Sequence, residues 1–252
     1  MDAGRPGKRA DPVALEAITR TWPMASPKTL DRLVRASSIV EKARGTLIEE
    51  GERPARIALV LSGTITATWS APDGRMVHAG LYGPGQFIGM ATLTGVPTAT
   101  GIYALTRATI LAWKSDEFRA IAEDDRALFR DLFDHLVFGA EVLVNLIRLR
   151  TFTPAASRLA GLLLQYEAFV FSTDAPLVPR RELPALAGVT PEMVSRIFRK
   201  WEAAAIVRRV GATGLELLGR SALAAEAAPL DDFPPPERAS HLASLDPKAS
   251  RP

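Results

Sequence analysis

The chain has 252 residues, of which 47% are apolar and 23% charged, and this composition excludes a wholly disordered or collagen-like protein. Because it has no cysteine, it cannot form a disulfide, a thiolate-bound zinc or iron–sulfur site, or a cysteine nucleophile. The net charge is only +3, so a nucleic-acid partner must be argued from where the charges lie.

The two ends of the chain are predicted to be irregular. Residues 1–10 are basic and rich in Gly and Pro, and no apolar stretch follows them that could serve as a secretory signal. From Pro229 onward, crowded prolines and scattered charges leave too little apolar surface to offset the entropy of ordering. We expect a flexible arm over residues 1–24 and a disordered tail over residues 229–252. Without a membrane-spanning stretch, we expect a cytoplasmic protein with no membrane contact.

Residues 44–114 have the pattern of short strands joined by tight turns. Glycines recur every dozen or so positions, and between them Ile57, Leu59 and Leu61 alternate with smaller apolar residues. Asp73-Gly74 supplies the positive φ angles of a type I′ hairpin turn. The pattern predicts an antiparallel barrel or sandwich, and we assign residues 25–124 to this domain.

From Ser115 to Arg150 the apolar residues recur at helical spacing, which predicts a long helix after the strands. Apolar residues cover two sides of this helix, and each side must be buried, one against its own domain and one most simply against a second copy of the chain. We assign residues 125–150 to a dimerisation helix; the alternative is a fully buried core helix. The predicted dimer seam repeats at intervals of three and four residues: Phe129, Leu132, Leu136, Gly139, Leu143 and Leu146.

Residues 151–228 contain the local signals of a helix-turn-helix. A helix is predicted from Ala155 to about Phe169, and a short helix from Glu182 to Ala187. Gly188 then allows a sharp turn, and Thr190 is the predicted N-cap of a second helix whose first residue is Pro191. Six apolar residues are predicted to form the buried inner face: Leu183, Leu186, Val189, Val194, Ile197 and Trp201.

The charges support DNA binding by this region. Residues 180–209 hold seven Arg or Lys against three Glu, a net +4 that exceeds the charge of the whole chain. Glu192, Ser195 and Arg196 share one face of the second helix, and these side-chain types can contact base edges in the major groove; the alternative is a solvated face with a Glu192–Arg196 pair. The predicted contacts to the DNA backbone are Arg180, Arg181, Thr190, Arg199, Lys200, Arg208 and Arg209.

Several short motifs occur in a fixed order between residues 25 and 225. They are Gly51-Glu52, Leu61-Ser62-Gly63, Asp73-Gly74-Arg75, Tyr82 to Phe87, Leu93 to Pro97, Ala104-Leu105-Thr106, Ser157 to Ala160, and above all Leu186 to Arg196. Together they resemble the cyclic-AMP receptor / fumarate-nitrate regulator (Crp/Fnr) family of bacterial transcription factors. The resemblance implies an α+β protein with an N-terminal double-stranded β-helix (a cyclic-nucleotide-binding-like β-roll), a long dimerisation helix and a C-terminal winged helix-turn-helix.

The resemblance also implies partners and an operator. The E-x-x-S-R pattern of Glu192, Ser195 and Arg196 is similar to that of the oxygen- and nitrogen-oxide-responsive branch, whose members read TTGAT-type half-sites in an inverted repeat. Pro191 stands where the cyclic-AMP branch usually has an arginine. The expected partners are double-stranded DNA, a second copy of the chain and RNA polymerase. In the wing, Arg208 and Arg209 would lie over the DNA backbone, although an ordinary hairpin would explain the same sequence.

The effector region departs from the family members that bind cyclic AMP. Gly89 and Met90 stand where the resemblance would place a ribose-binding carboxylate, and Thr98, followed by Ala99, replaces the arginine that holds the cyclic phosphate. These four residues mark the expected effector pocket, and cyclic-nucleotide binding is not expected. No cofactor or metal is expected, and the absence of cysteine excludes the family's iron–sulfur sensor.

Haem, which some relatives use, remains an alternative through His78 or His135; the third histidine, His241, falls in the tail. Clustered His and Glu ligands like those of cupin enzymes are missing, so we expect no catalytic residues and no enzymatic activity. We expect a homodimeric, sequence-specific DNA-binding transcription regulator whose effector is unknown or absent. The alternative is a haem- or small-molecule-binding sensor that acts mainly through protein partners.

Overall fold

A computed structural model describes residues 11–71, 76–171 and 177–227. The type I′ turn at Asp73-Gly74, the tail and His241 lie outside these residues. The N-terminal half contains two helices, eight strands and a third helix: α1 (Pro12–Thr21), α2 (Pro27–Ala36), β1 (Ser38–Lys42), β2 (Gly45–Ile48), β3 (Arg56–Ser62), β4 (Ile65–Ser70), β5 (Met76–Tyr82), β6 (Phe87–Ile88), β7 (Gly101–Ala104), β8 (Ala108–Lys114) and α3 (Ser115–Glu123).

The strands form two four-stranded antiparallel sheets, in the orders β1-β8-β3-β6 and β2-β7-β4-β5. In the first sheet Ile39 pairs with Leu111, and in the second Ile65 pairs with Ala104. Small and β-branched side chains fill the space between the sheets, including Val60, Ile65 and Ala104, which are fully buried. This confirms the β-roll implied by the resemblance.

The prediction of a flexible arm over residues 1–24 is wrong for the part that the structure describes. Asp11 caps helix α1 by accepting a hydrogen bond from the Val13 N–H at 3.0 Å, and Pro12 occupies the first turn. Ile18 and Trp22 are fully buried. The centroid of the Trp22 ring lies 4.7 Å from that of Phe87, 6.0 Å from that of Trp113 and 5.9 Å from that of Phe118, so this segment belongs to the core of the β domain.

The described part of the C-terminal half begins with a long helix and continues with five shorter helices and a two-stranded wing. Its elements are α4 (Arg126–Phe152), α5 (Ala155–Gln165), α6 (Glu167–Val170), α7 (Leu183–Ala187), α8 (Pro191–Ala203), β9 (Val207–Val210), β10 (Gly214–Leu217) and α9 (Arg220–Glu226). The order of β-roll, long helix and helix-turn-helix confirms the predicted architecture. The helix predicted up to Phe169 ends earlier, at Gln165, and the chain resumes in the short helix α6.

Asp125 separates α3 from α4, which interrupts the helical pattern that begins at Ser115. Its carboxylate caps α4 by accepting hydrogen bonds from the Ala127 and Leu128 N–H groups at 3.0 and 3.1 Å. It also accepts from the Thr29 hydroxyl at 2.6 Å and from the Ser26 N–H at 3.0 Å. The start of the long helix is thereby fixed to α2 as well as to α3.

Candidate nucleic-acid interface and effector cavity

The helix-turn-helix is built as its local sequence signals predict. Gly188 ends α7 with φ 63°, a left-handed conformation that glycine adopts without steric cost. Thr190 caps α8, since its hydroxyl accepts a hydrogen bond from the Met193 N–H at 3.3 Å, and Pro191 is the first helical residue.

The inner face of α8 packs against α5 and α7 through buried apolar side chains. Six residues were predicted to form the buried inner face of the helix-turn-helix. Four of them are buried, namely Leu183 and Leu186 on α7 and Val194 and Trp201 on α8, whereas Val189 and Ile197 are half-buried. Phe198, which the sequence analysis missed, is 2% exposed and packs edge-on to Trp201 with ring centroids 5.8 Å apart. These contacts fix the rotation of α8 about its axis and determine which residues face outward.

The three predicted base-reading residues all lie on the outer face. Glu192, Ser195 and Arg196 are exposed, and Arg196 forms no ion pair with any residue that the structure describes. The Glu192–Arg196 pair considered as an alternative is not formed. The backbone N–H of Glu192 and the Thr190 hydroxyl lower the pKa of the Glu192 carboxyl, which lies in the first turn of α8. The arrangement exposes a carboxylate, a hydroxyl and a guanidinium on one face, where they could meet base edges.

Most cations predicted to contact the DNA backbone already have partners within the chain. Lys200 pairs with Glu226 at 3.1 Å, Arg181 with Glu182 at 3.1 Å, and Arg208 donates to Glu216 at 2.7 Å. Arg209 makes a two-pronged contact with Glu202, so that the Arg209 side chain lowers the pKa of Glu202. Arg199 is exposed and pairs with no described residue. Four of the seven basic side chains of this region are therefore held in ion pairs at the surface. Such a pair can exchange readily for a contact with phosphate, because it contributes little to stability.

Arg180 supports the wing from within its own chain. Its guanidinium donates to the Ala212 carbonyl in the wing turn at 2.7 Å and to the Gly214 carbonyl at the start of β10 at 3.1 Å. Gly211 begins that turn with φ 54°. The Arg180 side chain thus holds the wing in place, and the predicted phosphate contact would have to compete with these carbonyls.

Helix α4 presents three faces, and the predicted dimer seam is split between them. Leu132 and Leu146 are 5% and 7% exposed and pack into the chain's own core, so the prediction that they face a partner is wrong. Gly139 and Leu143 line a cavity, described below. Phe129, Leu136 and Gly139 of the predicted seam are exposed. Phe129 and Leu136 are its large apolar side chains there. They belong to an exposed apolar face of α4 comprising Phe129, Phe133, Leu136, Val137, Ala140, Val144 and Ile147.

A polar junction, which the sequence analysis missed, joins the β-roll to the helix-turn-helix. The buried His78 of β5 places its Nε2 3.4 Å from Glu182 Oε2, in the turn before α7. Arg44 donates to Glu182 Oε1 at 2.9 Å. The half-buried Arg150, near the end of α4, donates to the carbonyl of His78 at 2.6 Å and to that of Leu186 at 3.2 Å. The junction therefore ties β5, α4 and α7 together.

A cavity of about 670 Å³ lies between the second sheet, α4 and the α5–α6 segment. Three of the four residues predicted to mark the effector pocket line it, namely Gly89, Met90 and Thr98, whereas the exposed Ala99 does not. Gly89 has φ 84°, and a Cβ there would fall 3.0 Å from the carbonyl oxygen of Arg56, so a larger residue would be strained.

The residues lining this cavity do not match a haem group. His135 is in the lining and could offer a ring nitrogen, whereas His78 is not and instead faces Glu182. A haem also carries two propionates, and the described lining contains no arginine or lysine to pair with them. No group of three or more potential metal-ligating residues occurs in the described part of the chain.

Two family models match the chain. A cyclic nucleotide-binding domain matches residues 42–125, and a Crp-like helix-turn-helix domain matches residues 157–226. No curated protein has a significant sequence match. Within the described residues, no helix is both long and apolar enough to cross a membrane.

Solved structures with the same fold cover most of the chain. FixK2 from Bradyrhizobium japonicum is 20% identical with a TM-score of 0.70, covering 76% of this chain and 98% of its own. A CRP-family transcriptional regulator from Thermus thermophilus is 18% identical with a TM-score of 0.65, covering 75% and 96%. The c-di-GMP responsive global regulator CLP from Xanthomonas campestris is 17% identical with a TM-score of 0.64, covering 77% and 100%.

Proposed function

Because a cyclic nucleotide-binding domain and a Crp-like helix-turn-helix domain occur in one chain, the protein belongs to the Crp/Fnr family of transcription regulators, and we propose that it reads an inverted repeat with TTGAT-like half-sites as a homodimer. One observation supports the proposal above all: Glu192, Ser195 and Arg196 are exposed together at the start of a capped helix whose other face is buried. We propose no catalytic activity.

The choice of operator depends on two positions of α8. The resemblance associates Glu192, Ser195 and Arg196 with a TTGAT-like arm, whereas Pro191 removes the guanidinium usual in the cyclic-AMP branch. Chemically, Arg196 can donate two hydrogen bonds to guanine O6 and N7, and Glu192 can accept from the cytosine amino group. Ser195 can contact either base type.

The homodimer is proposed on the exposed apolar face of α4 rather than on the predicted seam. Phe129, Phe133 and Ile147 are 57%, 59% and 55% exposed, which is unusual for side chains of this size in a row on one helix. A second copy packing its own α4 along this face would bury them symmetrically. The two α8 helices could then enter successive major grooves about 34–36 Å apart.

We propose that the cavity takes an effector other than a cyclic nucleotide. The described lining offers no cation for a cyclic phosphate, and the same lack weighs against a dinucleotide such as the c-di-GMP to which CLP responds. As a member of this family the protein would act on transcription through RNA polymerase.

Fluorescence anisotropy with two labelled palindromes tests the proposal. The duplexes share length and flanking sequence and differ only in their arms, TTGAT-like in one and TGTGA-like in the other. We expect binding to the TTGAT duplex at least tenfold tighter, with two chains per duplex. Equal affinity for the two, or preference for TGTGA, would contradict the proposed reading.

A further inference from the structure

One nitrogen atom of Arg150 connects three parts of the protein. Arg150 lies near the end of α4, the helix on which the homodimer is proposed. Its Nη2 donates to the carbonyl of His78 in β5 at 2.6 Å and to the carbonyl of Leu186 in α7 at 3.2 Å. A single side chain therefore fixes the distance between the β-roll and the helix-turn-helix at the point where α4 ends.

Both carbonyls lie where secondary structure supplies no donor. The carbonyl of Leu186 belongs to the last turn of α7, and no later residue of that short helix can donate to it. Strand β5 is the edge strand of its sheet, so the carbonyls on its outer side have no strand to pair with. Because an unpaired buried carbonyl is unfavourable, Arg150 stabilises this arrangement of β5 and α7 over others.

The Arg150 guanidinium contributes through its geometry rather than through an ion pair. No described acidic residue pairs with it, and burial, together with the positive charge of Arg158, lowers its pKa. Glu182, the carboxylate of the junction, is engaged by His78 and Arg44 instead. A half-buried cation without a counter-ion costs more to bury than a neutral side chain of its size. What the guanidinium supplies in return is the bridge between two carbonyls.

The stem of Arg150 also lies against the turn between α7 and α8. A Cβ on Gly188 would fall 3.3 Å from Arg150 Nε and 3.7 Å from its Cδ. Gly188 ends α7 with φ 63°, and α8 begins at Pro191. The position of α8 relative to α4 therefore depends on this contact as well as on the two hydrogen bonds.

A small rotation at this point has a large effect on the DNA that a dimer can bind. Helix α8 has 13 residues. Rotating a helix of that length, about 20 Å, by about 10° moves its far end by about 3.5 Å, roughly the rise of one base pair. The two α8 helices of a dimer must enter major grooves about 34–36 Å apart. A fixed orientation of α8 therefore fits one spacing of half-sites, whereas a loose orientation fits several.

We propose that Arg150 is a positioning residue that determines which spacing between half-sites the dimer accepts. This inference rests on the proposed function, because it concerns the distance between the two α8 helices of a homodimer. Loss of the two hydrogen bonds leaves the base-reading side chains in place but allows several orientations of the helix-turn-helix. The protein then accepts more than one spacing while it still recognises the same arms.

Fluorescence anisotropy with a series of labelled duplexes tests the inference. Each duplex carries two inverted TTGAT-like arms, and the series varies only the number of base pairs between them, around the value that puts the arm centres about 10 base pairs apart. The flanks are trimmed to keep the total length constant. We expect wild type to bind one spacing about tenfold tighter than its neighbours, a cost similar to that of one mismatched base pair.

Two variants test the role of the side chain. Arg150→Met keeps the stem beside Gly188 but removes both hydrogen bonds, and should reduce the preference for one spacing to about twofold. Arg150→Lys keeps a cation whose shorter side chain reaches one carbonyl, and should give an intermediate preference; it decides the question if Arg150→Met does not fold. Arg119→Met is the matched control, since Arg119 also donates to a carbonyl, that of Leu93 at 3.1 Å, but lies away from the junction. Circular dichroism and sedimentation velocity verify fold and dimer.

Three results would overturn the inference. They are no preference among spacings in wild type, an unchanged preference in the Arg150 variants, or an equal loss of affinity at every spacing, which would show that Arg150 serves only folding. Binding to TTGAT-like and TGTGA-like arms is compared on the same samples. A wild type that selects TTGAT arms while the variants keep its spacing preference rejects only this inference, whereas a wild type that does not select TTGAT arms rejects the proposed function.

Discussion

His78 Nε2 lies 3.4 Å from Glu182 Oε2, and this contact joins β5, an edge strand of the second sheet, to the turn that precedes the helix-turn-helix. The two side chains are 1% and 12% exposed, so the pair is largely shielded from water. Arg44 and Arg181 supply positive charge to the same carboxylate. Glu182 is therefore the residue through which the β-roll holds the DNA-binding unit electrostatically.

Replacement of this carboxylate should destabilise the protein at neutral pH. We expect Glu182→Gln to lower the free energy of unfolding by about 2 kcal/mol, because it leaves the buried His78 with a neutral partner and removes the ion pair with Arg44. Urea unfolding of wild type and variant at pH 7 measures this difference in the free energy of unfolding. Glu216→Gln, which removes the exposed ion pair with Arg208, is the matched control and should cost less than about 1 kcal/mol.

The contribution of Glu182 to the free energy of unfolding should depend on pH, and the direction follows from the pKa of its carboxyl. The neighbouring His78 imidazole, together with Arg44 and Arg181, outweighs burial and lowers the pKa of Glu182 from 4.5 to about 2. A depressed carboxyl pKa stabilises the fold above the unfolded value of 4.5, and this contribution is lost as the pH falls through about 2. The stability difference between wild type and Glu182→Gln should shrink steadily over that range; a difference independent of pH would contradict the assignment.

Asp125 should be a second acid-sensitive position. Although burial raises its pKa, hydrogen bonds from Thr29, Ser26 and Leu128 hold it well below its ordinary value of 3.8. We expect Asp125→Ala to cost about 2 kcal/mol at pH 7, since it removes the α4 cap and the link to α2. Asp11→Ala, at an exposed cap, should cost about half as much. Thermal unfolding at pH 7 compares the stability of the two variants. An equal loss of stability in both would show that the links from Asp125 to α2 contribute nothing.

Two arginines of α8 should affect DNA binding in different ways. We expect Arg196→Ala to cost about 1–3 kcal/mol on the TTGAT duplex and to relax discrimination at one base pair. Arg199→Ala should weaken binding to every duplex alike and reduce the salt-dependence slope by about 1, the loss of one phosphate contact. Anisotropy titrations at several salt concentrations separate the two. Arg209→Ala should likewise weaken binding to every duplex, because its surface ion pair with Glu202 can exchange for a contact with phosphate.

The exposed apolar face of α4 gives a test of the dimer. Phe133→Asp places a charge in the middle of this face, where pairing with a second α4 would bury it, and should convert dimer to monomer. Glu141→Lys, on the polar side of the same helix, is the control and should leave the dimer intact. Sedimentation velocity distinguishes the two states. A Phe133→Asp protein that remains dimeric would exclude this face as the interface.

The helix-turn-helix could be predicted because its signals act within a few residues. A left-handed Gly188, a capping Thr190 and Pro191 at the first helical position each determine structure locally. The same signal occurs at Asp11-Pro12, where it begins α1, and was outweighed in the sequence analysis by the Gly- and Pro-rich composition before it. The composition of residues 1–10 therefore carried no information about residues 12–21.

The rotation of α4 and the junction could not be predicted, because both depend on contacts between distant parts of the chain. Helix α4 is apolar on two sides, so spacing alone does not tell that Leu132 and Leu146 face inward while Phe133 and Ile147 face outward. His78 and Glu182 meet only because β5 packs against α7. Nor does the sequence show that His135 lines a cavity, since this depends on where the β-roll docks along α4.

The most direct test is the selection of bound sequences from a random duplex library, with wild type and Arg196→Ala in parallel. The account predicts an inverted repeat with TTGAT-like arms for wild type. It also predicts loss of preference at one base pair of each arm for Arg196→Ala, with the rest of the repeat retained. Enrichment of TGTGA arms, of unpaired single sites, or of the same repeat by both proteins would contradict it.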